Sequence, residues 1–200
     1  MISNQSKWQK YRSSLMKTKS VLNQAILKYA IENGENPECG VISNSIEQTD
    51  CIKFYNFLKT SLNVVKVCDS NAYDSGCIPE YEGIDTIKIK DNPNVTEDDL
   101  SSLAGNFRGW FKSNIMSGGA IILADGTILF PYGNFSMATI AVDVNGQAGP
   151  NKWGIDIFTF VLRKNDPTSS PYFDAQFGGC EPIEKGGIHT RTLLYNKNYM

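Results

Sequence analysis

The sequence predicts an α+β protein in which a long amino-terminal amphipathic helix packs on an antiparallel sheet of about four strands. Two observations predict this fold: apolar residues recur at helical spacing at the start of the chain, and short β-rich segments cluster in its second half. At 200 residues the chain fits a single domain. We divide it into the helix (1–34), a helical and cysteine-bearing region (35–117), the sheet (118–163) and an irregular tail (164–200).

The opening helix is the strongest periodic signal. No Gly or Pro interrupts residues 5–32, and Asn33-Gly34 then supplies the left-handed stop that is common after a helix. Polar residues take one side of this helix. The predicted inward face, at alternating steps of three and four residues and joined by Ile26, consists of Trp8, Tyr11, Leu15, Thr18, Leu22, Ala25 and Tyr29.

The region 35–117 predicts further helices. Thr96-Glu97-Asp98-Asp99 has the pattern of a capping box, which would open a short helix through Leu100 and Leu103. Ahead of it, an earlier helix is predicted to turn inward Ile46, Phe54, Phe57, Leu58 and Leu62.

Four β-rich segments then predict the sheet. Asp125-Gly126 separates the first two and is a signal for a two-residue hairpin, because both positions tolerate positive φ. From Asn165 onward, prolines and paired glycines without a period predict irregular structure. The four predicted strands are Ala120–Ala124, Thr127–Phe130, Met137–Val144 and Ile155–Arg163.

Composition excludes some classes of function. Lys plus Arg number 19 and Asp plus Glu number 21, so the chain lacks the basic excess of a nucleic-acid-binding protein. No apolar run reaches the length of a membrane span, and the first residues lack the features of a signal peptide.

The cysteines point to an oxidising compartment. Cys39, Cys51, Cys68 and Cys77 cluster in loop-like sequence, with Cys180 far downstream, and a disulfide between Cys68 and Cys77 would close a loop rich in turn residues. Their spacing alone leaves open a second interpretation, in which they are buried, reduced thiols. Zinc is disfavoured because no Cys-x-x-Cys pair is present.

An oxygen-rich segment between the last two strands is a candidate calcium loop. Asp143, Asn145, Asn151 and Asp156 would supply side-chain oxygens, which calcium prefers. The segment is not an EF-hand, because Gly154 stands where that loop needs a bidentate Glu. The alternative is that these side chains satisfy backbone groups of a tight loop through Asx-turns.

Catalytic motifs are missing, so we do not expect an enzyme. The sequence contains no Gly-x-Ser-x-Gly, phosphate-binding Gly-rich loop or His-Glu-x-x-His. A Cys–His hydrolase using His189 is the remote alternative, and no local feature singles out a nucleophile for it. A binding module that recognises a glycan or protein is the other alternative, through aromatic residues among Trp110, Phe111, Tyr132, Trp153, Tyr172, Phe173 and Tyr195.

Three stretches resemble bacterial prepilin-type proteins, the family of type IV pilins and type II secretion pseudopilins. The resemblance covers residues 8 to about 162, its last block is the most specific, and the tail matches nothing in the family. The stretches are Tyr11–Gly34, then Leu58–Cys68 with Gly76–Pro79, then Leu123–Gly126 with Ile140–Gly146, Gly149–Asn151, Gly154 and Asp156–Phe158.

This resemblance implies a structural role. Family members start with a cleaved leader and an apolar helix half that anchors the subunit in the inner membrane, and neither is in this sequence. We therefore expect the chain to begin downstream of that segment, as the exported periplasmic or extracellular head. Its partners would be other pilin or pseudopilin subunits, contacted through the amino-terminal helix, and its work would be assembly of a filament.

The resemblance also bears on the site residues. Some pseudopilin heads hold calcium in a loop near the sheet, which strengthens the expectation of calcium at Asp143, Asn145, Asn151 and Asp156. Export implies disulfides Cys68–Cys77 and Cys39–Cys51, with Cys180 unpaired or exchanging with one of them.

Overall fold

The computed structural model confirms an α+β fold with an amino-terminal helix and an antiparallel sheet. It describes residues 4–42, 51–91, 94, 96, 99, 108–132, 138–165, 168–176 and 181–199. Four sequence predictions fall outside this set: the inward Ile46, the helix through Leu100 and Leu103, the strand position Met137, and the state of Cys180.

Helix α1 spans Asn4–Asn33 and ends as the sequence predicts. Gly34 follows with φ 74°, and its N–H donates to the carbonyl of Ala30. The predicted inward face is confirmed: Trp8 is partly buried, and the buried residues are Tyr11, Leu15, Thr18, Leu22, Ala25, Ile26 and Tyr29.

The other elements are short. No helix among the described residues combines the length and the apolar character that a membrane span requires. The helices are α2 (Cys51–Ser61), α3 (Ile84–Asp91), α4 (Lys112–Ser117) and α5 (Thr190–Tyr195). The strands are β1 (Val41–Ile42), β2 (Val64–Cys68), β3 (Ala120–Leu123), β4 (Ile128–Pro131), β5 (Thr139–Asp143), β6 (Ile157–Lys164) and β7 (Tyr172–Ala175).

The sheet is larger than the four strands predicted. Six strands pair antiparallel in the order β7-β6-β5-β4-β3-β2, and the two residues of β1 pair in parallel with the end of β6. The four predicted strands correspond to β3–β6. The prediction missed β2, which lies before the predicted sheet region, and β7, which lies in the predicted irregular tail.

The β3–β4 hairpin has a three-residue loop and not the two-residue turn predicted. The N–H of Leu123 donates to the carbonyl of Thr127, so this pair closes the ladder and leaves Ala124, Asp125 and Gly126 in the loop. Gly126 has φ 88° and its N–H donates to the carbonyl of Leu123. This is a tight turn followed by a left-handed residue, the usual form of a three-residue hairpin loop.

Both faces of the sheet are buried, because successive side chains of a strand point to opposite faces. Helices α1, α2 and α5 cover one face, where Leu129, Val142 and Phe158 lie. The opposite face carries Ile128 and Phe130, which pack in a second cluster with Tyr81, Ile84, Ile87, Trp110, Ile115 and Trp153.

The prediction of an irregular tail was wrong for two of its segments. Residues 172–175 form β7, and residues 190–195 form α5, whose Leu193 and Leu194 are buried against the same core as α1. Tertiary contacts stabilise these short elements, and the local sequence pattern of six residues is too short to reveal them.

Candidate functional site

The oxygen-rich loop joins β5 to β6 at one end of the sheet. It begins at Asp143, the last residue of β5, makes a 3₁₀ turn at Gly146–Ala148, and returns to β6 after Asp156. The N–H of Val144 donates to the carbonyl of Asp156, so the two carboxylates are brought to adjacent strand ends. The Gly149-Pro150 peptide bond within the loop is cis.

Asp143 is fully buried and is held by three donors. Its Oδ1 accepts the backbone N–H groups of Asn145 at 3.1 Å and Gly146 at 2.8 Å. Its Oδ2 accepts the hydroxyl of Tyr81 at 2.8 Å. The bond to Asn145 is the Asx-turn that the alternative interpretation of this segment predicts.

Asp156 is also fully buried and closes the other half of the loop. Its Oδ2 accepts the N–H of Asn151 at 2.8 Å and its Oδ1 accepts the N–H of Lys152 at 2.7 Å. Asn151 has φ 57°, a left-handed conformation that Asn tolerates better than most residues. Both carboxylates therefore organise the loop backbone.

Burial of these two carboxylates disfavours their charged forms. Desolvation, followed by the negative charge of Asp156, raises the pKa of Asp143 to about 7. Desolvation also raises the pKa of Asp156, against the lowering effect of its backbone hydrogen bonds. Burial raises the pKa of Tyr81 well above its usual value, and the charge of Asp143 adds to this. The two carboxylates accept hydrogen bonds from a tyrosine hydroxyl and from backbone N–H groups, which are neutral donors.

Two amide oxygens of the same loop lack partners. Asn145 Oδ1 and Asn151 Oδ1 are buried and accept no hydrogen bond, whereas Asn145 Nδ2 donates to the carbonyl of Gly149. A buried acceptor without a donor is destabilising by about 1–3 kcal/mol. Among the described residues, no group of three or more His, Cys, Asp or Glu side chains converges as a metal site. The candidate ligands here are two carboxylate and two amide side chains, which carry hard oxygen atoms of the kind that calcium prefers.

The structure places all four predicted residues in one loop, where the backbone N–H groups of Asn145 and Asn151 bind the carboxylates of Asp143 and Asp156, and it adds residues that the sequence analysis missed. Tyr81 reaches Asp143 from 62 positions earlier in the chain, and the carboxyl-terminal segment contacts the loop at Trp153. Neither contact has a local sequence signal, because both depend on the packing of distant segments.

Four cysteines form two disulfides, Cys39–Cys51 and Cys68–Cys77. This is the pairing that the resemblance implies. All four residues are buried, and disulfides of this kind are typical of proteins that fold in an oxidising compartment.

His189, the histidine of the alternative hydrolase hypothesis, contacts a buried carboxylate. Its Nδ1 lies 3.1 Å from Oε2 of Glu181, and its side chain is 56% exposed. Glu181 also accepts the hydroxyls of Thr159 and Thr190 and the N–H of Thr190, the first residue of α5. The cysteines at 39, 51, 68 and 77 are in disulfides and present no thiolate to this histidine.

The aromatic residues of the binding-module hypothesis differ in their exposure to solvent. Trp110, Trp153 and Phe173 are fully buried in the core, where Trp110 and Trp153 contact each other edge to face. Tyr172 and Tyr195 are exposed and lie on different elements.

Comparisons of this chain with protein-family models, curated proteins and solved structures return no match.

Proposed function

We propose that this chain is the head of a pilin or pseudopilin subunit of a type IV pilus or type II secretion-like filament, and that it works by assembly and not by catalysis. The observation that carries the proposal is that the long helix α1 leaves one face exposed to solvent. This 30-residue helix is buried along one face only, although it is the longest element that the structure describes.

The outer face of α1 offers an apolar contact surface. Met16, Leu27 and Ile31 are exposed by 43%, 61% and 83% of their surface. Leu27 and Ile31 are one turn apart, and Met16 lies about three turns before Leu27, so the three side chains share one side of the helix. We call them the outer stripe. In the proposal, helices of neighbouring subunits cover the outer stripe, which would remove apolar surface from water.

Under the same proposal, the chain is exported from the cytoplasm. Both disulfides cross-link the head, as in proteins of oxidising compartments. By the family resemblance, an apolar segment ahead of α1 anchors the subunit in the inner membrane, and the head lies in the periplasm or outside the cell.

Calcium is part of the proposal. Asp143, Asn145, Asn151 and Asp156 would hold it, since two buried carboxylates and two unpartnered buried amide oxygens belong to one loop. When bound, the ion supplies positive charge that compensates the buried carboxylates. Tyr81 keeps Asp143 oriented through its hydroxyl, and the loop N–H groups keep both carboxylates from turning away.

Site-specific photocrosslinking tests the assembly role. The native gene, including whatever precedes this chain, is expressed in its source cell with a photoreactive amino acid at position 31. We expect crosslinks to a second copy or to another pilin-like subunit, because Ile31 is the most exposed residue of the outer stripe. The matched control is position 185, an exposed site in the carboxyl-terminal segment. A position-31 variant that gives no more crosslinked product than the control would count against the proposal.

A further inference from the structure

The carboxyl-terminal segment connects the oxygen-rich loop to α1. We call residues 181–199 the arm. The arm contacts the loop near Trp153. Within the arm, Glu181 binds Thr190, and the arm ends as α5 and a 3₁₀ turn against α1. Hydrogen bonds of the described residues fasten it at each of these places.

At the loop, the arm is joined by backbone groups and by the side chain of Glu184. The N–H of Trp153 donates to Oε1 of Glu184 at 3.2 Å, and the N–H of Glu184 donates to the carbonyl of Trp153 at 3.1 Å. The N–H of Ile188 donates to the carbonyl of Gly154 at 2.8 Å. Trp153 and Gly154 directly follow Lys152, whose N–H is bound by Asp156.

The two segments approach so closely that only glycine fits. A Cβ on Gly187 would lie 2.5 Å from the carbonyl oxygen of Trp153. A Cβ on Gly154, where φ is 75°, would lie 2.8 Å from the backbone N and O of Ile188. The docked position of the arm therefore depends on the conformation of Trp153 and Gly154.

At α1, the arm is held by side chains of the helix. The guanidinium of Arg12 donates to the carbonyl of Leu194 at 3.1 and 3.3 Å. Lys19 donates to the hydroxyl of Tyr195 at 2.7 Å, and Tyr195 in turn donates to Asp174. Leu193 and Leu194 are buried in the core beside α1.

We propose that calcium in the oxygen-rich loop controls the docking of the arm on α1. This inference rests on the calcium site of the proposed function and assigns that site a regulatory role. A cation bound by Asp156 and Asn151 stabilises the loop conformation to which Trp153 and Gly154 belong. The arm docks on that conformation, so calcium binding and arm docking favour each other by linkage.

Hydrogen exchange of the full chain tests the inference directly. The amides to follow are those of Leu193 and Asn196, which donate to the carbonyls of His189 and Thr192 in docked α5. We expect excess calcium to slow their exchange by about fivefold or more relative to chelator. Asp156→Asn is expected to abolish this difference.

Linkage supplies a second test that leaves the loop intact. Arg12→Ala removes the bonds to Leu194 of α5, a contact that includes no residue of the loop, and is expected to weaken calcium binding, measured by calorimetry, by up to the factor with which calcium protects α5. The control is Lys10→Ala, at an exposed position of α1, with unchanged affinity expected.

The outcomes separate this inference from the proposed function. Calcium binding without slower exchange of Leu193 and Asn196, or with Arg12→Ala equal to Lys10→Ala, overturns the arm inference and leaves the calcium site. If calorimetry detects no calcium binding, both the arm inference and the calcium site are overturned. The filament role is judged separately, by the crosslinks from position 31.

Discussion

The side-chain oxygen of Asn23 on α1 accepts the backbone N–H of Phe173 on β7, at 2.8 Å. Strand β7 is an edge of the sheet, and an unpaired edge is a template for pairing with other chains. Helix α1 therefore does more than cover one face of the sheet, since it also satisfies a donor at this edge.

Substitution Asn23→Ala tests that contact. The variant leaves the N–H of the buried Phe173 without its acceptor, and we expect a loss of about 1–3 kcal/mol in the free energy of unfolding, measured by urea denaturation. Gln24→Ala, at the neighbouring exposed position of α1, is the control and should change stability little. Equal stability of the two variants would show that the edge contact contributes nothing.

Removal of the Cys68–Cys77 disulfide should destabilise the protein. A double Cys→Ala variant opens a loop that the disulfide closes over a sequence separation of 9. Loss of a disulfide across a loop of this length lowers the free energy of unfolding by about 2–4 kcal/mol. Thermal unfolding under non-reducing conditions measures it. The corresponding variant at Cys39 and Cys51, with a separation of 12, should lose a similar amount. A melting temperature like that of the wild type would contradict the entropic argument.

Tyr81→Phe isolates the hydroxyl that Asp143 accepts. The change keeps the ring in the aromatic cluster and removes one hydrogen-bond donor from a buried carboxylate. We therefore expect the free energy of unfolding to fall by about 1–3 kcal/mol at neutral pH, measured by urea denaturation. Calcium affinity should fall as well, because Asp143 is less firmly oriented. Tyr73→Phe, on an exposed ring, is the control. Unchanged stability in Tyr81→Phe would mean that the hydroxyl does not support Asp143.

Asp174 predicts a pH dependence of stability. Burial acts to raise its pKa, but the hydrogen bonds from Tyr195 and Lys19 outweigh burial and hold the pKa below its usual value. A folded-state pKa below the unfolded one stabilises the protein above the unfolded pKa, and this stability is lost as pH falls through the folded value.

We therefore expect Asp174→Asn to be less stable than the wild type at pH 7 and the difference to shrink below about pH 4. Urea denaturation across this range measures it. Asp69→Asn removes a carboxylate that is 79% exposed in its pair with Lys59, and it should stay within about 1 kcal/mol of the wild type throughout. A difference for Asp174→Asn that does not change with pH would contradict the assignment.

The sequence predicted those elements whose residue pattern is long or whose side chains are buried on both faces of the sheet. Helix α1 has a helical repeat over its whole length, and β3–β6 read as apolar runs because both faces of the sheet are covered. Strand β2 was missed because Val65, Lys66 and Val67 are exposed and carry no alternation. Helix α5 was missed because its first N–H is capped by Glu181, which is nine positions away.

The candidate site shows the same division. Residue spacing identified the oxygen-rich loop, since turn-forming and oxygen-bearing residues alternate there. It left open whether Asp143 and Asp156 bind the loop backbone or a cation. The structure shows the backbone bonds, and it also shows two unpartnered amide oxygens beside them. The packing of distant segments determines which groups these side chains bind, and residue spacing in the sequence gives no information about that packing.

The outer stripe gives the most direct test of the central claim, that this head assembles through α1. Leu27→Lys with Ile31→Lys places charge on a surface that is solvent-exposed in the single chain, so its thermal stability should remain that of the wild type. In cells that express the native gene, filament formation seen by electron microscopy should be lost, because burying two lysines between subunits is unfavourable. Filaments of normal number and length from this variant would contradict the account.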